Sequence, residues 1–219
     1  MDLNLLDTVI TWAQVAVLVV CAIVAEGFAR RFANAAYRIL AGAFVCYALG
    51  NLFYNFYLLI NDIYPYYLSV ADLSWVSVYV FLTSACLFWL GRMPDEERRR
   101  LRRRRWPAVG IAAAAFVPAY AYMISWDPTS TVNNLLYGTT GILLTYFALW
   151  LLLGAWLDDV GRPLRAYHVA VLGLVIGQLV GMVSTCLPEP FYNGYYVVGA
   201  LMIVLPAVML WALRKGVTA

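Results

Sequence analysis

Long apolar segments alternate with short polar breaks along the whole chain. Seven segments can be drawn, numbered here as spans 1 to 7, at about residues 5–27, 36–60, 67–91, 107–125, 132–157, 166–187 and 191–213. Each is close to the roughly 20 residues that an α-helix needs to cross a bilayer. The breaks contain Pro, Gly, Asn and Asp, which are typical of turns. The pattern predicts an all-α polytopic membrane protein with one seven-helix domain over residues 1–219.

The composition favours the same class of protein. The chain has 219 residues, of which 64% are hydrophobic and only 12% are charged, whereas soluble domains average roughly 25% charged residues. Seven spans use most of this length, so we expect no soluble catalytic or DNA-binding domain. The N-terminal sequence MDLNLLDTV has no basic residue before its apolar run. It does not resemble a cleaved signal peptide, and span 1 is expected to be retained.

All 15 basic residues fall in or beside alternate loops, which lie on one side of a seven-span bundle. They are Arg30, Arg31, Arg38, Arg92, Arg98, Arg99, Arg100, Arg102, Arg103, Arg104, Arg105, Arg162, Arg165, Arg214 and Lys215. The other side carries only acids, namely Asp2, Asp7, Asp62, Asp127 and Glu189. The positive-inside rule therefore predicts an outside N-terminus and a cytoplasmic C-terminus.

The third loop contains the basic run MPDEERRRLRRRRW. We interpret it as a cytoplasmic extension of the span 3 helix, with Asp95–Arg99 and Glu96–Arg100 spaced for i,i+4 ion pairs. Arginines beside a span also attract anionic lipid headgroups. The predicted lipid-binding set is Arg98, Arg99, Arg100, Arg102, Arg103, Arg104 and Arg105. Docking of a cytoplasmic partner is the alternative, and nucleic-acid binding is not expected.

Spans 1–3 and 5–7 run in the same direction and match at a fixed offset along the chain. At this repeat offset, Gly27 falls on Gly154, Arg38 on Arg165, and the run Gly50–Leu52 on Gly177–Leu179. The matches predict a parallel 3+1+3 repeat, an arrangement in which ligand sites lie between repeats. Helices rich in Gly, Leu and Ala also match by chance, so both interpretations stay open.

Polar residues within the spans gather in the outer half. Those that lie deeper than the interface are Gln14, Asn51, Asn55, Asp72 and Gln178, and Tyr54 and Tyr67 lie near the outer ends. A carboxylate in hydrocarbon costs at least about 2.5 to 3.5 kcal/mol, and Asp72 is predicted about one and a half turns inside span 3. Hydrogen bonding between packed helices is one explanation for the amides. The other is an outward-facing cavity in which these seven residues bind a ligand.

Several kinds of chemistry lack their usual residues. Four widely spaced cysteines and one histidine, His168, make no zinc or redox motif. The only lysine, Lys215, lies in the tail, so a retinal Schiff base inside a late span is excluded. We expect no metal, no cofactor and no enzymatic activity.

One part of the chain resembles a known type of sensor region. The motif consists of Leu49-Gly50-Asn51-Leu52-Phe53 followed by Pro65, Ser69, Ala71, Asp72 and Trp75. It resembles the multi-helix membrane sensor regions that precede GGDEF diguanylate cyclase and histidine kinase domains in bacteria. The resemblance covers this short part of the chain and implies a stand-alone sensor or the membrane part of a longer receptor. This sequence has no second Ala-Asp pair in spans 6 and 7 and no signalling domain.

These observations leave three functional hypotheses. The preferred one is a receptor of the bacterial cytoplasmic membrane that binds a small molecule from the outer side and signals to a cytoplasmic partner or within a homodimer. The 3+1+3 layout is similar to that of SWEET and PQ-loop transporters, although the chain contains no Pro-Gln pair. A transporter is therefore the second hypothesis. The third is an accessory subunit of a membrane complex.

Overall fold

The computed structural model describes residues 3–218, except for the side chains of residues 3–5 and 192. Between Leu3 and Thr218 the chain forms eight α-helices and no strand. They are α1 (Leu3–Phe32), α2 (Ala35–Asn61), α3 (Val70–Arg92), α4 (Asp95–Arg102), α5 (Arg105–Trp126), α6 (Thr131–Leu157), α7 (Arg165–Thr185) and α8 (Gly194–Thr218). Within this range, all but α4 are long and apolar enough to cross a membrane. The protein is therefore a multi-pass membrane helix bundle, as predicted.

The helices extend beyond the apolar segments mainly at one end. Helix α1 ends at Phe32 and α8 at Thr218, whereas the sequence pattern stopped at residues 27 and 213. The additional turns carry Arg30, Arg31 and Lys215. A helix continues through charged residues when they lie at its C-terminal end, where cations interact favourably with the helix dipole.

Six helices form a closed ring. Around it, α1 contacts α2, α2 contacts α3, α3 contacts α6, α6 contacts α7, α7 contacts α8, and α8 returns to α1. Helix α5 lies outside this ring and packs mainly against α6. We call the end where α1, α3, α6 and α8 begin the N-terminal face, and the opposite end the arginine face.

The half of the ring nearer the arginine face is filled. Large side chains with at most 2% of their surface exposed occupy it, including Tyr37, Leu40, Phe44, Leu144, Leu151, Tyr167 and Leu213. They belong to α2, α6, α7 and α8, so the ring helices close against one another at this end. Any central cavity must therefore lie toward the N-terminal face.

The arginine-rich segment is a separate helix, so the predicted extension of span 3 is wrong. Helix α3 ends at Arg92, and Met93 takes an extended conformation before Pro94. A residue that precedes proline is disfavoured in the α-helical region, which explains the break. The new helix α4 is anchored by Leu101, which is fully buried and whose carbonyl accepts a 2.7 Å hydrogen bond from Trp150 Nε1.

The predicted pairs Asp95–Arg99 and Glu96–Arg100 are not formed among the described residues. Arg98 instead lies 3.8 Å from Asp95 and donates to the carbonyl oxygens of Leu90 and Gly91 at 3.1 and 3.3 Å. The last carbonyls of a helix have no partner within it, so the C-terminal end of α3 attracts this guanidinium. Arg98 is consequently a helix-capping residue and not a free lipid ligand.

Arg104 joins the start of α5 to the end of α6. Its Nε and Nη2 atoms donate to the two carboxylate oxygens of Asp158 at 2.8 and 3.0 Å. This bidentate pairing with the Arg104 guanidinium lowers the pKa of Asp158. A group whose pKa is lower in the folded state contributes stability above its unfolded value, about 3.9 for Asp, and loses that contribution as the pH falls through its folded value.

We therefore expect Arg104→Met to lower the melting temperature of the purified protein by a few degrees at pH 7. The difference from the wild type should shrink as the pH falls below about 3.9. Arg102→Met is the matched control, because Arg102 is exposed and has no ion pair among the described residues. A difference that stays constant between pH 7 and pH 3 would contradict this role for the Asp158 carboxylate.

Candidate functional site

A cavity of about 200 Å³ lies inside the ring near the N-terminal face. Its polar lining consists of Asp7, Thr11, Gln14, Asn51, Asp72, Asn133 and Gln178. Its aromatic lining consists of Tyr47, Tyr54, Trp75, Tyr79, Tyr137, Tyr195 and Tyr196. Each of the six ring helices contributes side chains, and α5 contributes none among the described residues. The cavity is therefore central to the fold.

Five of the seven predicted ligand-binding residues line this cavity. They are Gln14, Asn51, Tyr54, Asp72 and Gln178. The other two, Asn55 and Tyr67, lie elsewhere. Asn55 is buried between α1 and α2, where its Oδ1 accepts a 2.6 Å hydrogen bond from Thr11 Oγ1.

Tyr67 lies in the loop between α2 and α3 and is half exposed. Its hydroxyl donates to Asp127 Oδ2 at 2.5 Å, which joins this loop to the turn between α5 and α6. The hydrogen bond to this carboxylate raises the pKa of Tyr67 to about 12. Tyr67 therefore stabilises the loops of the N-terminal face and does not wall the cavity.

Asp72 is shallower than the sequence pattern predicted. Helix α3 begins at Val70, so Asp72 lies in its first turn and not one and a half turns inside the span. Its Oδ2 accepts hydrogen bonds from Ser69 N at 2.9 Å and from Ser69 Oγ at 2.8 Å, which completes a capping box. The positive end of the helix dipole also stabilises a carboxylate at this position.

The second oxygen of Asp72 faces the cavity side of α6. Its Oδ1 lies 3.2 Å from the Tyr137 hydroxyl and 3.4 Å from Asn133 Nδ2. The Asp72 carboxylate thus caps α3 with one oxygen and presents the other to the lining of the cavity.

Three hydrogen bonds between side chains or backbone join four consecutive ring helices. Gln14 Nε2 donates to Gly199 O at 2.7 Å, Asn51 Nδ2 donates to Gln14 Oε1 at 2.8 Å, and Trp75 Nε1 donates to Asn51 Oδ1 at 2.9 Å. The amides therefore hold helices together and line the cavity at the same time, so the two explanations offered for them are compatible.

Gly50 makes the Trp75 bond geometrically feasible. A Cβ atom at Gly50 would lie 2.5 Å from Trp75 Nε1 and 3.2 Å from the carbonyl oxygen of Ala71. The glycine thus lets the indole lie close against α2 and reach Asn51. This contact explains why a glycine precedes Asn51 opposite Trp75.

No protein-family model, no curated protein and no solved structure matches this chain.

Some of these contacts recur at the repeat offset that aligns Gly50 with Gly177. A Cβ atom at Gly50 would meet Trp75, and one at Gly177 would meet Met202, which is the position equivalent to Trp75. Ile10 of α1 packs against Gly199 of α8. The position equivalent to Ile10 is Tyr137 of α6, and the position equivalent to Gly199 is Asp72 of α3. These two residues are also in contact.

A second carboxylate in the cavity was missed by sequence reasoning. Asp7 of α1 is only 6% exposed, accepts a 3.1 Å hydrogen bond from the Tyr54 hydroxyl and is hydrogen-bonded by Tyr195. The sequence pattern assigned Asp7 to the acids of the outer side because it lies at the start of span 1. The available signal was its spacing with Thr11 and Gln14, which places all three on one face of a helix.

The lining groups are suited to binding. They comprise two carboxylates, four amides, phenols and one indole, and the described lining residues include no Lys, Arg or His. Nor do three His, Cys, Asp or Glu side chains come together as a metal-ion cluster within the described part of the chain. Amides, phenols and carboxylates fix the orientation of a small polar molecule, and aromatic rings contact its apolar parts.

Proposed function

We propose that this protein is a receptor-type module of the bacterial cytoplasmic membrane that binds a small molecule in the central cavity. The observation that carries the proposal is the lining of the cavity by all six ring helices. A ligand there touches every helix of the ring, so it favours the arrangement of helices that contacts it best. With the N-terminus outside, as the positions of the basic residues predict, the ligand enters from the outer side.

Helix α6 offers a route from the cavity to the arginine face. It carries Asn133 and Tyr137 at the cavity and Trp150 further along, where the indole holds the Leu101 carbonyl of α4. Small translations and rotations of helices are typical of such switches. In this proposal, a movement of α6 repositions α4, where a cytoplasmic partner or a second copy of the chain reads the change.

Helix α4 also supports a role for anionic lipids. Arg99, Arg100, Arg102 and Arg103 are exposed and have no ion pair among the described residues. Clustered arginines beside a membrane attract acidic headgroups by about 1 kcal/mol each. Arg98 and Arg104 are engaged within the protein, and Arg105 lies over the Trp150 ring. The proposed lipid contact therefore narrows to the four exposed arginines.

Two variants separate ligand binding from helix capping at Asp72. Asp72→Asn removes the charge but retains an oxygen that can accept the hydrogen bonds of Ser69. Ser69→Ala removes half of the capping box, at a cost of about 1 kcal/mol, and leaves the carboxylate in place.

The test is a thermal-shift screen of metabolite-sized compounds on purified protein. A ligand present at 100 times its Kd should stabilise the wild type by about 2.7 kcal/mol. Ser69→Ala should lower the starting melting temperature and keep the ligand-induced shift, whereas Asp72→Asn should reduce the shift. A library without any stabilising compound would count against the cavity, whereas a ligand that stabilises all three proteins equally would count only against a contact with the Asp72 charge.

A small transporter is the second candidate. The contacts that recur at the repeat offset support a parallel repeat, an arrangement found in transporters with a central site. Alternating access would require the filled half near Tyr37, Phe44 and Tyr167 to open. Uptake of a bound ligand into proteoliposomes would favour the transporter, and binding without uptake favours the receptor.

A further inference from the structure

The cavity contains two carboxyl side chains and no basic side chain that could pair with them among the described residues. Asp7 and Asp72 both line it, and they lie on different helices. No Lys, Arg or His appears among its described lining residues. The basic residues of the described part of the chain lie at the arginine face, at the opposite end of the bundle.

The two carboxylates are hydrogen-bonded by neutral donors. Asp7 accepts from the hydroxyls of Tyr54 and Tyr195, and Asp72 from Ser69 and Tyr137. Neither acid belongs to an ion pair within residues 3–218. Hydroxyl and amide dipoles solvate a carboxylate but leave its net charge, and the interaction of that charge with a cation strengthens in a site of low dielectric constant.

One polar atom of the lining lacks a partner. The Asn133 side chain is 6% exposed, and its Oδ1 is buried without a hydrogen bond from any described residue. The Nδ2 of the same amide lies 3.4 Å from Asp72 Oδ1. A buried acceptor without a donor destabilises the site, so a ligand that donates an N–H or O–H beside Asp72 removes that cost.

The aromatic lining is suited to the same kind of ligand. Tyr54 and Trp75 have ring centroids 5.9 Å apart, and Tyr79 and Tyr137 have centroids 6.3 Å apart. The faces of such rings attract ammonium groups by cation–π interaction. The cavity volume of about 200 Å³ equals the volume that about seven water molecules occupy in the liquid. The space therefore suits a small metabolite and is below the usual size of drug-sized sites.

We infer that the cavity binds a small organic cation, an ammonium compound with at least one N–H or O–H donor. Its charge lies between Asp7 and Asp72, its apolar part lies against the aromatic rings, and its donor meets Asn133 Oδ1. This inference rests on the proposed function, because it names the chemical class of the ligand for the same cavity.

The test compares cations with neutral compounds of nearly the same shape. The probes are choline with 3,3-dimethylbutan-1-ol, and 2-phenylethylammonium with 2-phenylethanol. Dissociation constants are measured by calorimetry or thermal shift on the full chain in detergent or nanodiscs. At least one cation should bind roughly tenfold or more tightly than its neutral counterpart, which corresponds to one decade in Kd.

Variants locate the charge preference. Asp7→Asn and Asp72→Asn should each lower the affinity for the cation roughly tenfold or more. The affinity for the neutral compound should stay the same, since only the charge interaction is lost. Ser69→Ala is the control for lost helix capping and should keep the preference for the cation. Asn133→Leu should lower the affinity for cations that carry an N–H or O–H donor.

Three outcomes would overturn the inference. Neutral compounds that bind as tightly as the cations would contradict the charge argument and leave the proposed binding function standing. The same holds if the wider screen yields only neutral or anionic ligands. Failure of both cations to bind at the highest concentrations that the protein tolerates would also reject the inference, and a wider library without any ligand would reject the proposed function as well.

Discussion

Gly50→Ala should destabilise the protein by about 1 to 3 kcal/mol, which is the usual cost of overpacking a close-packed interior. The added Cβ would lie 2.5 Å from Trp75 Nε1, a distance that real contacts do not show. The carbonyl oxygen of Ala71 would lie 3.2 Å from the same Cβ, which is also tighter than most real contacts and adds backbone crowding to the clash. The indole must therefore turn away, and its hydrogen bond to Asn51 is lost.

The measurement is unfolding of the purified variant in mixed micelles. Gly110→Ala is the matched control, because a Cβ at this position of α5 meets nothing within 4 Å. It should be neutral or stabilising by up to about 1 kcal/mol, the helix-propensity difference between Gly and Ala. In a Trp75→Ala background, Gly50→Ala should lower the free energy of unfolding much less than it does in the wild type. Equal effects of Gly50→Ala with and without the indole would show that the contact is not the cause.

Asn51→Leu should destabilise the protein by about 2 to 4 kcal/mol, because the buried Gln14 amide and the partly buried Trp75 indole lose their partner. Such a loss costs about 1 to 3 kcal/mol for a fully buried group and less for a partly buried one. Gln14 Oε1 no longer receives the 2.8 Å hydrogen bond, and Trp75 Nε1 no longer has an acceptor at 2.9 Å. Water reaches little of the Asn51 side chain itself, which is 2% exposed.

A double-mutant cycle with Trp75→Phe tests this explanation. The cycle isolates the coupling between the two residues, for which measured hydrogen bonds between membrane helices give about 0.6 to 2 kcal/mol. Asn61→Leu is the control, because Asn61 is exposed at the end of α2 and bonds to Tyr57 O of its own helix. It should be near neutral. Additive effects of Asn51→Leu and Trp75→Phe would mean that the two side chains act independently.

Both predictions concern the motif that resembles sensor regions of signalling proteins. Gly50, Asn51, Asp72 and Trp75 meet at the junction of α2 and α3, where the glycine admits the indole and Asp72 caps the helix. The spacing therefore has a packing explanation that requires no ligand. Ligand binding is a separate proposal for the same residues, and in that proposal it depends on the charge of Asp72 and on Asp7, a cavity-lining residue outside the motif.

The transmembrane segments could be read from local properties. A helix that crosses hydrocarbon needs about 20 apolar residues, and this requirement acts on each segment by itself. The arginine run was harder to interpret. Its charge pattern agreed equally with an extension of α3 and with a separate helix, and Pro94 with the buried Leu101 decided in favour of the latter.

The lining of the cavity depends on how each helix is rotated about its axis, and the chain pattern contains little information on this. A soluble helix reveals its buried side by an apolar stripe, but these helices are apolar around most of their surface because lipid replaces water outside. Packing therefore determines three placements. Asn55 bonds to Thr11 between helices, Tyr67 lies outside the cavity and bonds to Asp127, and Asp7 lines the cavity. Seven membrane helices followed from the sequence, because hydrophobicity and length act on each segment separately. The closed ring of six, with its two carboxylates, came only from contacts between distant helices.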